Sequence, residues 1–238
     1  MILASDIDGT FYFSSRSIPY NQGDLDAIRR WQEKGHLFGV CTGRSEDSAY
    51  RVLEGFVKPD FFIFTNGSLI KDGNGRELFS ASIDKILVER LLSLKGPVAP
   101  TFTERQRGGK QSRHHGFEEY QGGLIESASF LMPSEKDAEV HYKKVVEAVG
   151  EDLNIFLNTI HVDVSPKGVT KGTAVECIQS HYGDEVYGIG DTWCDLPLLQ
   201  ASRTSFTFQS SPEDVKKAAT HVVATLEEAI SLLLQKEI

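Results

Sequence analysis

The segment Asp6-Ile7-Asp8-Gly9-Thr10 directly follows the apolar run Met1-Ile2-Leu3-Ala4 and Ser5. A buried strand ending in two carboxylates one residue apart offers both to one small volume if the backbone bends there, and Gly9 supplies the bend. Paired carboxylates at the C-terminal edge of a strand suit hard-cation binding and nucleophilic or acid-base chemistry, and that edge is where open α/β sheets bind ligands. An ordinary Asp-Gly turn closing a strand reads the same way over these five residues. A second segment of the same shape lies far along the chain, where Val186-Tyr187-Gly188-Ile189 runs into Gly190-Asp191-Thr192-Trp193-Cys194-Asp195-Leu196-Pro197. Asp191 and Asp195 would also be at home at a helix start, where the dipole favours acids. If the two strands are neighbours in a parallel sheet, Asp6, Asp8, Asp191 and Asp195 meet at one edge. Four carboxylates together then call for a compensating cation such as Mg²⁺.

The elements needed to bring these acids together are legible. Strand-like and helix-like segments alternate, as a doubly wound parallel sheet requires. Strands are expected over 2–5, 37–41, 61–64, 186–189 and 205–208, and helices over 22–34, 45–54, 171–182, 197–200, 212–219 and 226–235. A hairpin is expected where 68–71 and 76–79 flank Asp72-Gly73-Asn74-Gly75. The pattern changes near Ser80. A helical period over 82–94, strands over 98–103 and 124–131, a helix over 134–149 and two short strands within 155–164 make a small α/β block, and the core pattern resumes after Pro166. The expected fold class is therefore α/β, a doubly wound (Rossmann-like) parallel sheet core from residues 1–80 and 166–238 with an inserted α/β domain over 81–165.

Composition narrows the function classes. The 238 residues are 40% hydrophobic and 25% charged, enough for a sizeable core. The net charge of −9 argues against a nucleic-acid or anionic-membrane binder, which needs an extended basic face. The apolar N-terminal run is broken at Ser5 and Asp6, so neither a signal peptide nor a membrane span is expected. Cys41, Cys177 and Cys194 are three in number without Cys-x-x-Cys spacing, which sets a cytoplasmic expectation.

Four segments, in order, resemble the haloacid dehalogenase superfamily and its Cof-like sugar-phosphate phosphatases. Asp6-Ile7-Asp8-Gly9-Thr10 resembles the first motif of that family, Thr42-Gly43-Arg44 the second, Lys171 within Gly168-Val169-Thr170-Lys171-Gly172 the third, and Gly190-Asp191 with Asp195 the fourth; Thr65-Asn66-Gly67 is similar to a further element of the subgroup. The resemblance covers the first and last thirds of the chain and implies that the inserted block is a cap over the site. It implies a Mg²⁺-dependent phosphatase acting on a small phosphorylated metabolite, a sugar phosphate, with Asp6 as nucleophile and Asp8 as the proton shuttle. Thr42 and Lys171 complete the catalytic set, and Thr42, Gly43, Arg44, Asn66 and Lys171 the phosphate and substrate contacts. The implied metal set is Asp6, Asp8 through its main-chain carbonyl, Asp191, and Asp195 as the residue that orients the others. Arg44 would equally pair with an acid on its own helix.

Two departures stand out. Cys194 replaces the Asn common between the acids of the fourth motif, and its carboxylate neighbours make it a poor nucleophile. Trp193 beside it is expected to pack against the core, the alternative being that it lines the site entrance. In the middle block, Arg105, Arg107, Lys110, Arg113, His114 and His115 form a glycine-rich basic segment, read as a solvated loop or as a loop closing over a second anionic group. A phosphomutase of the same fold (phosphomannomutase-like), a dehalogenase and a non-catalytic binding or regulatory module are the alternatives. The retained Asp8 and Asp191 argue against the dehalogenase, which needs neither metal nor acid. The expected partner is a small phosphorylated molecule, with no nucleic acid and no membrane, the chain being a monomer or homodimer.

Overall fold

Strand β1 (Ile2–Ser5) is buried at all four positions, as a continuous apolar run in the middle of a two-sided sheet must be. The computed structural model describes residues 1–94, 100–106, 111–115 and 122–235. After β1 come α1 (Gln22–Glu33), capped by the Asn21 side chain, β2 (Leu37–Cys41), α2 (Glu46–Leu53) and β3 (Phe61–Phe64). A tight turn at Thr65–Gly67 then leads into the hairpin β4 (Leu69–Asp72) and β5 (Glu77–Ser80).

The chain next forms α3 (Lys85–Ser93), β6 (Thr101–Arg105), β7 (Gln111–His115), β8 (Leu124–Leu131), α4 (Glu135–Val149), β9 (Leu153–Asn158) and β10 (His161–Pro166). It closes with α5 (Lys171–Tyr182), β11 (Val186–Ile189), α6 (Leu196–Ala201), β12 (Ser205–Phe208), α7 (Glu213–Ala218), β13 (His221–Val223) and α8 (Leu226–Gln235).

The strands make two sheets. The larger runs β13-β12-β11-β1-β2-β3-β4-β5. It is parallel from β13 to β3 and antiparallel in its last two strands. β1 lies between β2 and β11, with Ser5 opposite Ile189, so the two acid-bearing segments do leave the sheet side by side. From β1 the chain builds outwards in one direction through β2 and β3 and later in the other through β11 and β12. This is the reversal of strand order at which open α/β sheets bind ligands. Alternation along β1 sends Leu3 to a layer built with α1 and α8, and Ile2 and Ala4 to one built with α5 and α6.

The smaller sheet, β7-β6-β8-β10-β9, is antiparallel, with α3 and α4 packed on one face around Val88, Leu91, Phe102, Phe130, Val145 and Val162. Its other face carries polar residues, because Thr101, Thr103, Ser127, Ser129, His161 and Asp163 alternate with the apolar ones. Among the described residues no helix is long and apolar enough to cross a membrane.

Most expected elements lie within a residue or two of their expected ends. The helix read over 82–94 begins at Lys85, because Asp84 accepts from Ile86 N at 2.8 Å and caps it. The basic segment read as a loop is a strand over Gln111–His115, held in the ladder by β6 from Thr101–His115 to Arg105–Gln111. Arg107 and Lys110 of that reading, and the start of the strand expected at 98, lie outside the described residues. β13 has three residues, too short for a sequence signal, and is fixed by pairing with β12.

Candidate active site

Asp6 continues the β1 ladder, its N–H donating to Ile189 O at 2.9 Å, so its Cα is fixed against β11. The chain then turns at Gly9 with φ +78°, and a Cβ there would stand 2.2 Å from Asp191 Oδ2. Only glycine therefore lets the first acidic segment pass this close to the second. Asp195 is 1% exposed and folds back over its own segment, its Oδ2 accepting from Asp191 N at 3.0 Å and Thr192 N at 3.1 Å.

Lys171 is the first residue of α5, a helix whose start is held by reciprocal bonds between Thr170 and Thr173. Its ammonium is buried and donates to Asp6 Oδ1 at 2.7 Å and Asp195 Oδ1 at 2.5 Å. Residues 165 positions apart in sequence thus share one buried ion pair.

The charge balance of this cluster is negative. Burial pushes the Asp6 carboxyl well above its ordinary value, with Asp195 and Asp191 adding to the push and Lys171 opposing it. Asp191 is pushed up to about 7, first by burial and then by Asp195. Burial alone would lower the Lys171 ammonium, but the charges of Asp195 and Asp6 hold it well above its ordinary value. Among the described residues, Asp191 Oδ1 is buried with no hydrogen-bond partner. Asp6, Asp191 and Asp195 each present an oxygen within 4.8 Å of the others. An all-oxygen set with an excess of acid and an unpartnered buried oxygen fits a hard divalent cation such as Mg²⁺.

Asp8 stands apart from these three. Its carboxylate is half exposed and is gripped by Arg44, whose Nε and Nη2 donate to Oδ2 and Oδ1 at 2.6 Å each. Arg44 Nη1 donates to Ser48 Oγ at 2.9 Å, and the guanidinium lies 5.3 Å from the Tyr12 ring centroid. Arg44 precedes α2 and pairs across to Asp8 instead of with an acid on its own helix. That pairing between loops is invisible in either segment alone.

Thr42 follows β2 and is buried, its N–H donating to Ile63 O at 2.9 Å and its Oγ1 accepting from Arg44 N at 3.1 Å. The Thr65–Gly67 turn is stitched to this loop by Thr65 N to Arg44 O at 2.9 Å and Asn66 N to Thr42 O at 3.0 Å. Those bonds hold Thr65 and Asn66 in left-handed conformations, φ +48° and +56°, which non-glycine residues adopt at a cost. Gly67, at φ +109°, packs where a Cβ would meet Thr170 O at 2.6 Å, tying the turn to the start of α5.

Asp6, Asp8, Thr42, Gly43, Arg44, Asn66, Lys171 and Asp191 line one cavity of about 560 Å³, and Asp195 meets that lining through its bond from Lys171. The opposite wall is the polar face of the smaller sheet, including Thr101, Thr103, Arg113, Ser129, His161 and Asp163. Asp163 accepts from Ser129 Oγ at 2.6 Å. Burial raises its carboxyl, against the Ser129 bond and the charges of His161 and Arg113.

The family model for haloacid dehalogenase-like hydrolases matches residues 3–97 and 101–232, nearly the whole chain. The chain belongs to that family. A phosphoglycolate phosphatase of Pyrobaculum aerophilum is 26% identical over 98% of this chain and 95% of its own length. The chloroplastic endoribonuclease YBEY of Arabidopsis thaliana is 22% identical over 90% of this chain, which spans only 42% of that protein. Among solved structures, a haloacid dehalogenase-like hydrolase from B. subtilis superposes with TM-score 0.82 at 20% identity, covering 100% of this chain and 99% of its own. A sugar phosphatase of subclass IIB superposes with TM-score 0.77 at 20% identity, covering 99% and 98%.

In this chain the fold gathers every expected site residue at one edge, but not in one cluster. Asp6, Lys171, Asp191 and Asp195 interlock, whereas Asp8 belongs to a separate pair with Arg44. Trp193 does not pack as expected and is 48% exposed. The Cys194 thiol lines the cavity and is pushed up to about 12, chiefly by burial, with Lys171 opposing and Asp195 adding. Sequence reasoning missed Ser129, His161 and Asp163. Their signal was the two-residue alternation of polar and apolar positions along Ser127 to Phe130 and His161 to Val164, which marks a polar face on strands that otherwise build a core.

Proposed function

We propose that this hydrolase is a Mg²⁺-dependent phosphatase of a small phosphorylated metabolite, a sugar phosphate, acting through an aspartyl-phosphate on Asp6. The observation that carries the reading is the buried Asp6–Lys171–Asp195 ion-pair chain beside Asp191, whose buried Oδ1 has no partner among the described residues, assembled from opposite ends of the sequence. The phosphatase names of its relatives and fold neighbours support it.

In this reading an Asp6 oxygen attacks phosphorus, the P–O bond to the sugar breaks, and Asp8 gives a proton to the leaving oxygen. Asp8 then takes a proton from water, which attacks the phosphoaspartate and releases inorganic phosphate and free Asp6. Lys171, at a helix N-terminus, holds Asp6 and meets the charge that builds on the phosphoryl group. Thr42, Gly43, Arg44 and Asn66 hold the phosphate from the opposite side of the cavity. A divalent cation held by Asp6, Asp191 and the Asp8 carbonyl, with Asp195 orienting them, would supply further neutralisation of the phosphoryl oxygens.

The inserted block over 81–165 is the cap of this scheme, and its polar face over the cavity receives the sugar. A cavity of about 560 Å³ suits a ligand larger than a two-carbon acid, and the hydroxyls with Asp163 suit a polyhydroxylated one.

The test is phosphate release from p-nitrophenyl phosphate and a panel of sugar phosphates, with Mg²⁺ and with the metal chelated. Release that requires Mg²⁺ is expected. Release from no substrate would overturn the reading in favour of a binding module, and transfer of the phosphoryl group to a second sugar position would make it a mutase.

A further inference from the structure

Helix α2 starts beside the site, and its N-cap residue Ser45 makes no side-chain capping bond. Such a bond would in any case serve the second or third helical N–H and not the first. The first, on Glu46, donates instead to Gln111 Oε1, from β7 of the other sheet. Gln111 is 1% exposed, and its Nε2 donates to Glu126 Oε2. The two ends of this amide are not interchangeable: reversed, they would set donor against donor and acceptor against acceptor.

Glu126 has its own local cause. β8 slips register against β6 between the pairs Thr103–Ser127 and Glu104–Ile125, leaving Glu126 as an unpaired bulge residue. Bulges re-aim side chains, and this one buries a carboxylate completely between the sheets. Arg105 Nε lies 2.6 Å from its Oε1, and Arg105 Nη1 also reaches Glu77 of β5 in the larger sheet. On the α2 side, the Glu46 carboxylate pairs with Lys71 of β4 at 2.6 Å. Within the same first turn of α2, Ser48 receives the Arg44 bond, and Arg44 grips Asp8.

We propose that Gln111 is a positioning residue that joins the seating of the smaller sheet to the placement of Arg44 and Asp8, with Glu126 and Arg105 fixing Gln111. Lifting the smaller sheet would break Gln111–Glu46 and Arg105–Glu77 together, and would leave the first turn of α2 without its acceptor. The contact stands independently of the phosphatase reading; its effect on turnover rests on it.

The test uses the full chain and a Gln111→Met variant, which keeps the side chain's bulk and removes both polar ends. Amide exchange of Glu46, followed by NMR, is expected to be slow in the wild type and about tenfold faster in the variant, the size of a lost helix-end bond. Exchange within the last turn of the same helix is expected to be equal in both proteins. For p-nitrophenyl phosphate kcat is expected to fall about tenfold, because Asp8 acts once the reaction begins, with a smaller rise in KM, because Arg44 is one of four phosphate contacts. Glu46 exchanging freely in the wild type, or equally in the two proteins, would overturn the contact, and the wild-type measurement decides even if the variant fails to fold. A loss confined to KM, or no loss, would overturn the coupling. If the wild type hydrolyses nothing, the phosphatase reading falls while the exchange arm still decides the contact.

Discussion

Replacing Glu126 with Gln should make the protein more stable at neutral pH and leave it nearly unchanged in acid. Burial pushes the Glu126 carboxyl from 4.5 up to about 7, Glu77 adds to the push, and the Gln111 bond and the Arg105 charge oppose it. A carboxyl whose folded value is raised favours the folded state below the unfolded value and loses that contribution as pH climbs through the folded one. Wild type is therefore expected to weaken between pH 4.5 and about 7 relative to a chain with a neutral amide at this position. At 1.36 kcal/mol per pH unit the difference reaches about 3 kcal/mol. For a chain of this length that corresponds to roughly 6–12 °C in melting temperature. Thermal unfolding of wild type and Glu126→Gln in matched buffers from pH 4.5 to 8 measures it, and comparing the two proteins cancels the titration of all other groups. A gap that stays constant with pH, or one favouring wild type at pH 8, would show that Glu126 is an ordinary ionised partner of Arg105 and refute the reasoning.

Asp6→Asn should abolish turnover with the far-ultraviolet circular dichroism spectrum unchanged, whereas Asp8→Asn should slow it by roughly 10²–10⁴-fold, most for poor leaving groups. Equal small losses would contradict the role assignment. Lys171→Met leaves Asp6 and Asp195 facing each other without their ammonium and should cost about 3–5 kcal/mol of stability in denaturant unfolding, in addition to activity. Asp163→Ala should lower the ratio of kcat/KM for a sugar phosphate to that for p-nitrophenyl phosphate by about tenfold or more, since only the sugar offers hydroxyls to the vacated position. A ratio equal to that of wild type would place sugar recognition elsewhere.

What was legible in the sequence was what is local. Runs such as Phe61–Phe64 and Val186–Ile189 have no alternation because both faces are covered, and the acids sit where these runs stop, so the sheet and its reactive edge follow from single segments. Pairing between distant segments was not legible. Arg44 meets Asp8 across 36 positions, and Gln111 meets Glu46 across 65, with nothing in either neighbourhood to announce it. The basic segment looked like a loop because glycines and charges outnumber apolar residues there. Its last five residues are a strand because β6 offers them a ladder, a tertiary preference that outweighs local propensity. Trp193 invited a core assignment by its size, yet it lies on the turn that places Asp195, where the geometry of the acid takes precedence over burial of the ring.

The central claim is that Asp6 carries the phosphoryl group. Quenching the enzyme during turnover of p-nitrophenyl phosphate with Mg²⁺, reducing with borohydride and sequencing the N-terminal peptide by mass spectrometry tests it, because reduction converts an aspartyl-phosphate to homoserine. Homoserine at position 6, absent without Mg²⁺ or substrate, is the expected result. Turnover that leaves position 6 as aspartate, with the phosphoryl group found on another side chain, would contradict the account.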